Sequence, residues 1–159
     1  MSITPDARRL HERLLDRTLP KPEWTHEAHL IACWVDLDEH DGDVDSTVDS
    51  LRDAIRSYNE VTGVANTPTS GYHETLTRYY VEAVAAVGAT SVEELLADQR
   101  CSRGAPLRLW SKERLFSPEA RATAVPPDHH DDPGQVSDAG RVSEGTATES
   151  TFPEITRLR

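Results

Sequence analysis

The sequence predicts an all-α protein, a compact bundle of four to six helices followed by a disordered C-terminal tail. Apolar residues recur at three- and four-residue intervals through most of the first 125 positions, which is the period of an amphipathic helix. Residues typical of helix starts and ends flank these segments. No alternating run of apolar and polar residues is long enough to indicate a β-strand.

Capping residues predict where the helices begin and end. Thr4, followed by a proline and an aspartate, is a favoured start, because the hydroxyl can accept a backbone N–H and proline fits the first turn. Longer helices are expected at about 25–40, 45–62 and 72–87, and glycines follow the last two. Ser91 and Ser117 are expected to begin shorter helical segments.

The composition changes at about residue 126. Residues 126–159 contain many Pro, Gly, Ser and Asp and few large apolar side chains, so they can bury too little surface to offset the entropy of ordering. We therefore predict a helical domain at 1–125 and a disordered acidic tail at 126–159.

Charge and hydropathy exclude several classes of partner. The formal net charge is −11, and an acidic surface repels nucleic-acid phosphates and anionic membranes. No apolar run approaches the roughly 18 residues that a membrane-spanning helix needs, and the N-terminus lacks the apolar stretch of a signal peptide. Cys33 and Cys101 form no CxxC pair, so we expect free thiols and a cytoplasmic location.

The string EWTHEAHL at 23–30 places two histidines on one face of the second helix. Residues three apart on a helix are neighbours, and His26 and His29 share their face with Leu30 and Cys33. Both imidazoles could therefore reach one metal ion. The alternative is that each histidine is a core side chain hydrogen-bonded to a backbone carbonyl. His11, which lies among charged residues of the first helix, is expected to be solvated.

Glu23 stands three residues before His26 and completes a Glu-x-x-His unit. Di-iron helical bundles use this unit twice, and the chain has no second copy, so a dinuclear site is disfavoured. Glu23 remains a candidate catalytic or metal-ligating carboxylate.

The string SGYHETLTR at 70–78 supplies a third histidine at the start of the fourth helix. His73 is in phase with the apolar positions of that helix, so we expect it to complete a metal site with His26 and His29. Three imidazoles and an open fourth position are typical of catalytic zinc, and iron and copper also accept imidazole ligands. Glu74 would lie at the mouth of the site as a general base. The alternative for Glu74 is a favourable interaction with the helix N-terminus.

Polar and aromatic residues near these histidines are candidate substrate-binding groups. A tryptophan beside His26 could wall a pocket, and the loop after the third helix is rich in hydrogen-bonding side chains. Arg78 could hold a carboxylate or phosphate, or form a surface pair with Glu74, one helical turn earlier. The candidates are Trp24, Asn59, Asn66, Thr67, Tyr72 and Arg78.

Three longer strings, LPKPEWTHEAHL, YNEVTGVANTPTSGYHETLTR and WSKERLFSPEAR, together resemble a family of small bacterial proteins of uncharacterised function. The resemblance covers roughly residues 10–125. It implies a cytoplasmic, single-domain bacterial protein. It implies neither a reaction nor a set of metal ligands.

These patterns predict a metal-dependent enzyme that acts on a small polar molecule. A lyase, isomerase or hydrolase suits a metal that acts as Lewis acid or activates water, and iron or copper would allow oxygen activation instead. The alternative is a non-catalytic binding or accessory helical protein with a structural metal or none. A purely structural helical domain is the third possibility. The sequence does not determine the oligomeric state.

Overall fold

The helical fold class is confirmed. The structure is a computed structural model that describes residues 3–129, and within that range it contains seven α-helices and no β-strand. They are α1 (Pro5–Leu15), α2 (His26–Glu39), α3 (Val44–Thr62), α4 (Glu74–Val87), α5 (Val92–Ala97), α6 (Lys112–Leu115) and α7 (Pro118–Ala122). Short 3₁₀ helices lie at Lys21–Glu23, Gln99–Cys101 and Ala105–Arg108. Beyond the helix starts that the sequence predicts, the structure has α6, which begins at its own serine cap, Ser111.

Local capping explains most helix boundaries. Thr4 accepts the backbone N–H of Ala7 at 3.1 Å and begins α1, and Thr25 begins α2 in the same way. Gly63 and Gly88 end α3 and α4 in the left-handed conformation, which glycine adopts without the steric cost of a Cβ.

The helix α2 is the central element of the bundle. It packs against α1, α3, α4 and α5, and the six consecutive residues 32–37 are all buried. A helix that is buried on most of its circumference is apolar on most sides, which matches the sequence of α2. The largest fully buried apolar side chains are Trp24, Trp34, Tyr58, Leu14, Leu30, Leu51, Leu76, Leu95 and Leu115.

Residues beyond α5 wrap around α4. The Tyr80 hydroxyl donates to the carbonyl oxygen of Ser102 at 2.8 Å, and α7 packs against α4. The first residues assigned to the tail belong to this wrapping segment, because the Asp128 carboxylate accepts both the N–H and the hydroxyl of Ser111 at 2.6 Å. The rest of the predicted tail lies outside the described residues. No helix among those at 3–129 is long and apolar enough to cross a membrane.

Candidate functional site

His73 is the N-cap of α4, not a residue of its first turn. Its Nδ1 accepts the backbone N–H of Leu76 at 3.2 Å, and its Nε2 donates to the carbonyl oxygen of Leu115 at 2.7 Å. The ring is fully buried, and burial lowers the pKa of His73 to about 4, although the bond to Leu115 favours the charged form. In this neutral tautomer neither nitrogen keeps a lone pair for a metal.

His26 occupies the first position of α2, and its Nε2 lies 2.8 Å from the carbonyl oxygen of Cys101. Because a carbonyl only accepts, Nε2 carries the proton. The buried Nδ1 has no hydrogen-bond partner in the part of the chain that the structure describes. Burial lowers the pKa of His26, against the bond to Cys101. Its ring packs edge-on against Tyr80 with centroids 5.2 Å apart.

His29 lies one turn after His26 and packs against an aromatic side chain. Its ring centroid is 3.9 Å from that of Trp24, which is fully buried and also contacts Tyr58 at 5.7 Å. Trp24 is therefore a core residue between α2 and α3, as well as a neighbour of the histidine.

The three histidines thus have different neighbours. Residues 3–129 contain no group of three His, Cys, Asp or Glu side chains that could hold a metal ion. Helical phase correctly predicted that His26 and His73 point inward, but it could not show that each meets a carbonyl from the segment that wraps around α4. Metal binding by the protein stays a prediction, and His73 is the least suitable of the three ligands.

Glu74 is buried in a salt bridge, not placed at an open mouth. Arg52 of α3 donates to both carboxylate oxygens, at 2.9 and 2.7 Å, and the Tyr72 hydroxyl donates to one of them at 2.9 Å. Burial opposes ionisation, but the bonds from Arg52 and Tyr72 outweigh it and lower the pKa of Glu74. A carboxylate held ionised by three donors is a poor general base.

The expected surface pair between Arg78 and Glu74 does not form, because Arg52 occupies both carboxylate oxygens. Arg78 instead donates to Asp45 at 2.9 Å and lies 3.6 Å from Glu82. Glu23 ends a 3₁₀ helix at the surface, where Arg13 lies 3.3 Å away.

The polar loop between α3 and α4 is held together by hydrogen bonds among its own residues and the residues at its two ends. The Asn66 side-chain oxygen accepts from the Asn59 amide at 2.9 Å and from the Tyr72 N–H at 3.1 Å, and Thr67 pairs with Ser70 through backbone bonds. Gly71 has a φ of +83°, and a Cβ there would lie 2.5 Å from a backbone oxygen. The hydrogen bonds of these side chains stabilise the loop, and the role of the side chains in substrate binding stays a prediction.

A buried polar cluster that the sequence did not predict joins α1, α2 and α3. His11 is 1% exposed, so the expectation that it is solvated is wrong. Its Nε2 lies 2.8 Å from the Asp36 carboxylate and its Nδ1 lies 3.4 Å from Glu39. Asp36 is also buried and accepts from the Ser50 hydroxyl at 3.0 Å. A buried carboxylate needs such partners, so the cluster fixes the packing of the three helices.

An open cleft lies between α4 and the wrapping segment, and we call it the aromatic cleft. Its volume is about 430 Å³, within the range of roughly 300–1,000 Å³ typical of small-molecule sites. Its lining is mostly apolar, with three charged side chains. It is formed by Thr75, Arg78, Tyr79, Glu82, Ala83, Arg100, Leu109, Trp110, Ala124, Val125 and Pro127.

Hydrogen bonds to the backbone fix the walls of the aromatic cleft. The Thr75 hydroxyl donates to the Ala120 carbonyl at 2.7 Å and accepts the Val125 N–H at 3.2 Å. The Trp110 indole donates to the Val125 carbonyl at 3.0 Å. The rings of Tyr79 and Trp110 meet edge to face with centroids 5.9 Å apart. The cleft is therefore preformed, and of the predicted binding residues it contains only Arg78.

Comparison with known proteins leaves the site to be interpreted from its own geometry. No family model, no curated protein and no solved structure matches the chain. The resemblance of the three strings to small bacterial proteins stays a prediction.

Proposed function

We propose that this protein is a non-catalytic binding protein whose site is the aromatic cleft. The observation that carries the proposal is a preformed space of about 430 Å³ with an aromatic wall and a charged rim. Small-molecule sites combine an apolar lining with a few polar groups in this way. No His or Cys is among the described residues that line the cleft, and its carboxylate, Glu82, is largely exposed, which favours binding over catalysis.

The proposed ligand has an apolar, preferably aromatic body and one carboxylate. Tyr79 and Trp110 offer ring surfaces that a flat apolar group can pack against. Two guanidinium groups and one carboxylate line the cleft. Arg100 is paired with Asp98 at 3.0 Å, so Arg78 is the group proposed to bind an anionic head group. Arg78 already binds Asp45, but that carboxylate is 80% exposed, and an exposed ion pair contributes only about 0–1 kcal/mol. A ligand carboxylate can therefore replace it at small cost.

The second candidate is the metal-dependent enzyme predicted from the sequence. It keeps one specific support, the Nδ1 of His26, which has no hydrogen-bond partner within residues 3–129. A site there would need a ligand set other than the three histidines, since both nitrogens of His73 are engaged. For either candidate we propose a cytoplasmic location, because buried free thiols such as Cys33 and Cys101 suit a reducing compartment.

The test of cleft binding is an NMR titration of the full-length, ¹⁵N-labelled protein with phenylacetate and with phenethylamine. The two probes share an aromatic body and differ in the charge of the head group. We expect phenylacetate to shift the Trp110 indole signal and the amides of neighbouring cleft residues, and we expect phenethylamine to bind at least about tenfold more weakly, a difference of about 1.4 kcal/mol.

Two leucine variants provide a matched control. Ala124 lines the cleft and Ala122 does not, and both are exposed. Ala124→Leu should fill part of the cleft and weaken phenylacetate binding, whereas Ala122→Leu should leave it unchanged. Shifts that map elsewhere, or that survive Ala124→Leu in full, would remove the cleft from consideration as the ligand site.

A further inference from the structure

A second and much smaller space lies between α2, α3 and α4. Its volume is about 20 Å³, and a cavity needs at least about 10–15 Å³ to hold one water molecule. The space therefore admits one water-sized molecule and excludes the ligands that fit the aromatic cleft. We call it the Trp24 cavity. It is lined by Trp24, His29, Cys33, Leu51, Ile55, Leu76, Thr77 and Tyr80.

The three tryptophans of the chain differ in their indole N–H groups. Trp34 donates to the carbonyl oxygen of Ala89 at 3.3 Å, and Trp110 donates to that of Val125 at 3.0 Å. Trp24 is fully buried, and its Nε1 has no acceptor among residues 3–129. A buried donor without an acceptor destabilises the folded state, so such groups are rare and call for an explanation.

Further polar groups reach the wall of the Trp24 cavity in an otherwise apolar lining. Thr77 contributes a side chain with a hydroxyl, and His29 contributes an imidazole that packs 3.9 Å from the Trp24 ring. A buried water molecule usually makes two to four hydrogen bonds, and the indole N–H of Trp24 can supply one of them. A charged molecule is disfavoured, because burying a charge without a counter-ion is costly.

We propose that the Trp24 cavity is a binding site for one uncharged, water-sized hydrogen-bond acceptor, held by the indole N–H of Trp24. The bound molecule satisfies the one tryptophan donor that lacks an acceptor in the described chain. It also lies between α2 and α4, since His29 and Thr77 of the cavity wall belong to these two helices. This site is independent of the aromatic cleft and of any ligand bound there.

The test uses water itself as the probe. In full-length ¹⁵N-labelled protein, the three indole N–H signals are assigned, with Trp24→Phe identifying the first. Water-selective NOE and ROE spectra are then compared. We expect a cross-peak of the sign that a long-lived bound water gives at the Trp24 indole, and none at the indoles of Trp34 and Trp110, which donate to carbonyl groups.

A cavity-filling variant shows whether the cross-peak comes from a bound molecule or from magnetisation relayed through a nearby hydroxyl. Cys33 lines the cavity and Cys101 does not, although both are buried. Cys33→Val should fill the space and abolish the cross-peak, whereas Cys101→Val should retain it. The absence of a cross-peak at Trp24 in the wild-type protein overturns the proposal, even if Cys33→Val does not fold. Its persistence in a folded Cys33→Val variant overturns it as well.

Discussion

His73 and Leu115 are joined by a 2.7 Å hydrogen bond from the imidazole Nε2 to a main-chain carbonyl oxygen, across 42 residues of chain. The other nitrogen of the same ring caps α4. A single side chain therefore begins the helix and anchors α6, the helix that Leu115 ends. Serine, threonine and asparagine are the commoner caps, but their side chains are too short to reach a second partner on this scale. This double role gives a structural reason for histidine at position 73.

The first prediction separates the two roles of His73. His73→Ala removes the cap, worth about 1 kcal/mol, and leaves the buried Leu115 carbonyl without its donor, which costs about 1–3 kcal/mol. His73→Asn restores the cap alone and should recover about 1 kcal/mol. Urea unfolding of the three proteins measures these differences in the free energy of unfolding. Equal stability of the two variants would contradict the capping role.

The second prediction is a loss of stability as the pH falls. The pKa of His73 is lowered to about 4 in the folded protein, so the unfolded chain binds a proton first. The stabilisation is complete above pH 6.5 and is lost between pH 6.5 and about 4. A shift of this size corresponds to roughly 3 kcal/mol over the whole window. The measurement is urea unfolding of wild type and His73→Asn at pH 7.5 and pH 5. The wild type should lose about 2 kcal/mol more than the variant, and parallel losses would contradict the assignment.

The helices were predictable because their signals are local. Thr4, Thr25 and Ser117 cap helices within three residues of themselves, and glycines 63 and 88 end helices by their own backbone conformation. Helical phase also showed which side of a helix is buried. Such information is complete within a short window of sequence, so the all-α fold class could be predicted.

The contacts of the polar side chains were not predictable because their partners are distant in the chain. Asp36 lies 2.8 Å from His11 but 25 residues away in the chain, and Arg52 reaches Glu74 across 22 residues. An inward histidine looks the same in sequence whether it meets a metal or a carbonyl oxygen. The aromatic cleft was missed for the same reason, since Tyr79 and Trp110 are brought together only by the wrapping segment.

The third prediction concerns the buried salt bridge between α3 and α4. Arg52→Met leaves the Glu74 carboxylate buried with only the Tyr72 hydroxyl as a side-chain donor. Removing one partner of a fully buried pair costs about 3–5 kcal/mol. Since the Arg52 side chain is 34% exposed, we expect a smaller loss of about 1–3 kcal/mol in thermal or urea unfolding. Arg78→Met is the matched control, because its partner Asp45 is exposed, and it should cost less than about 1 kcal/mol.

A double-mutant cycle isolates the pair energy of that salt bridge. Glu74→Gln in the Arg52→Met background should cost clearly less than Glu74→Gln alone, because the two side chains contact each other. Simple additivity of the two changes would show that Arg52 does not stabilise the Glu74 carboxylate.

The fourth prediction compares two glycines of similar backbone conformation. Gly71 and Gly42 have φ values of +83° and +82°, so alanine is strained at both, by about 1 kcal/mol or more. Only at Gly71 would the new Cβ also collide with the loop, 2.5 Å from the Ala65 carbonyl oxygen. We expect Gly71→Ala to destabilise the protein by at least about 2 kcal/mol more than Gly42→Ala. Similar unfolding midpoints for the two variants would show that the loop does not pack closely against Gly71.

The most direct test of whether His26 and His73 serve the fold or bind a metal is a measurement of metal content. The full-length protein, purified without a histidine tag, is compared with His73→Asn. If His26 and His73 serve the fold through the carbonyl groups of Cys101 and Leu115, zinc, iron and copper should each be far below one equivalent in both proteins. About one equivalent of metal in the wild type, lost in a folded His73→Asn variant, would contradict this and restore the three-histidine site.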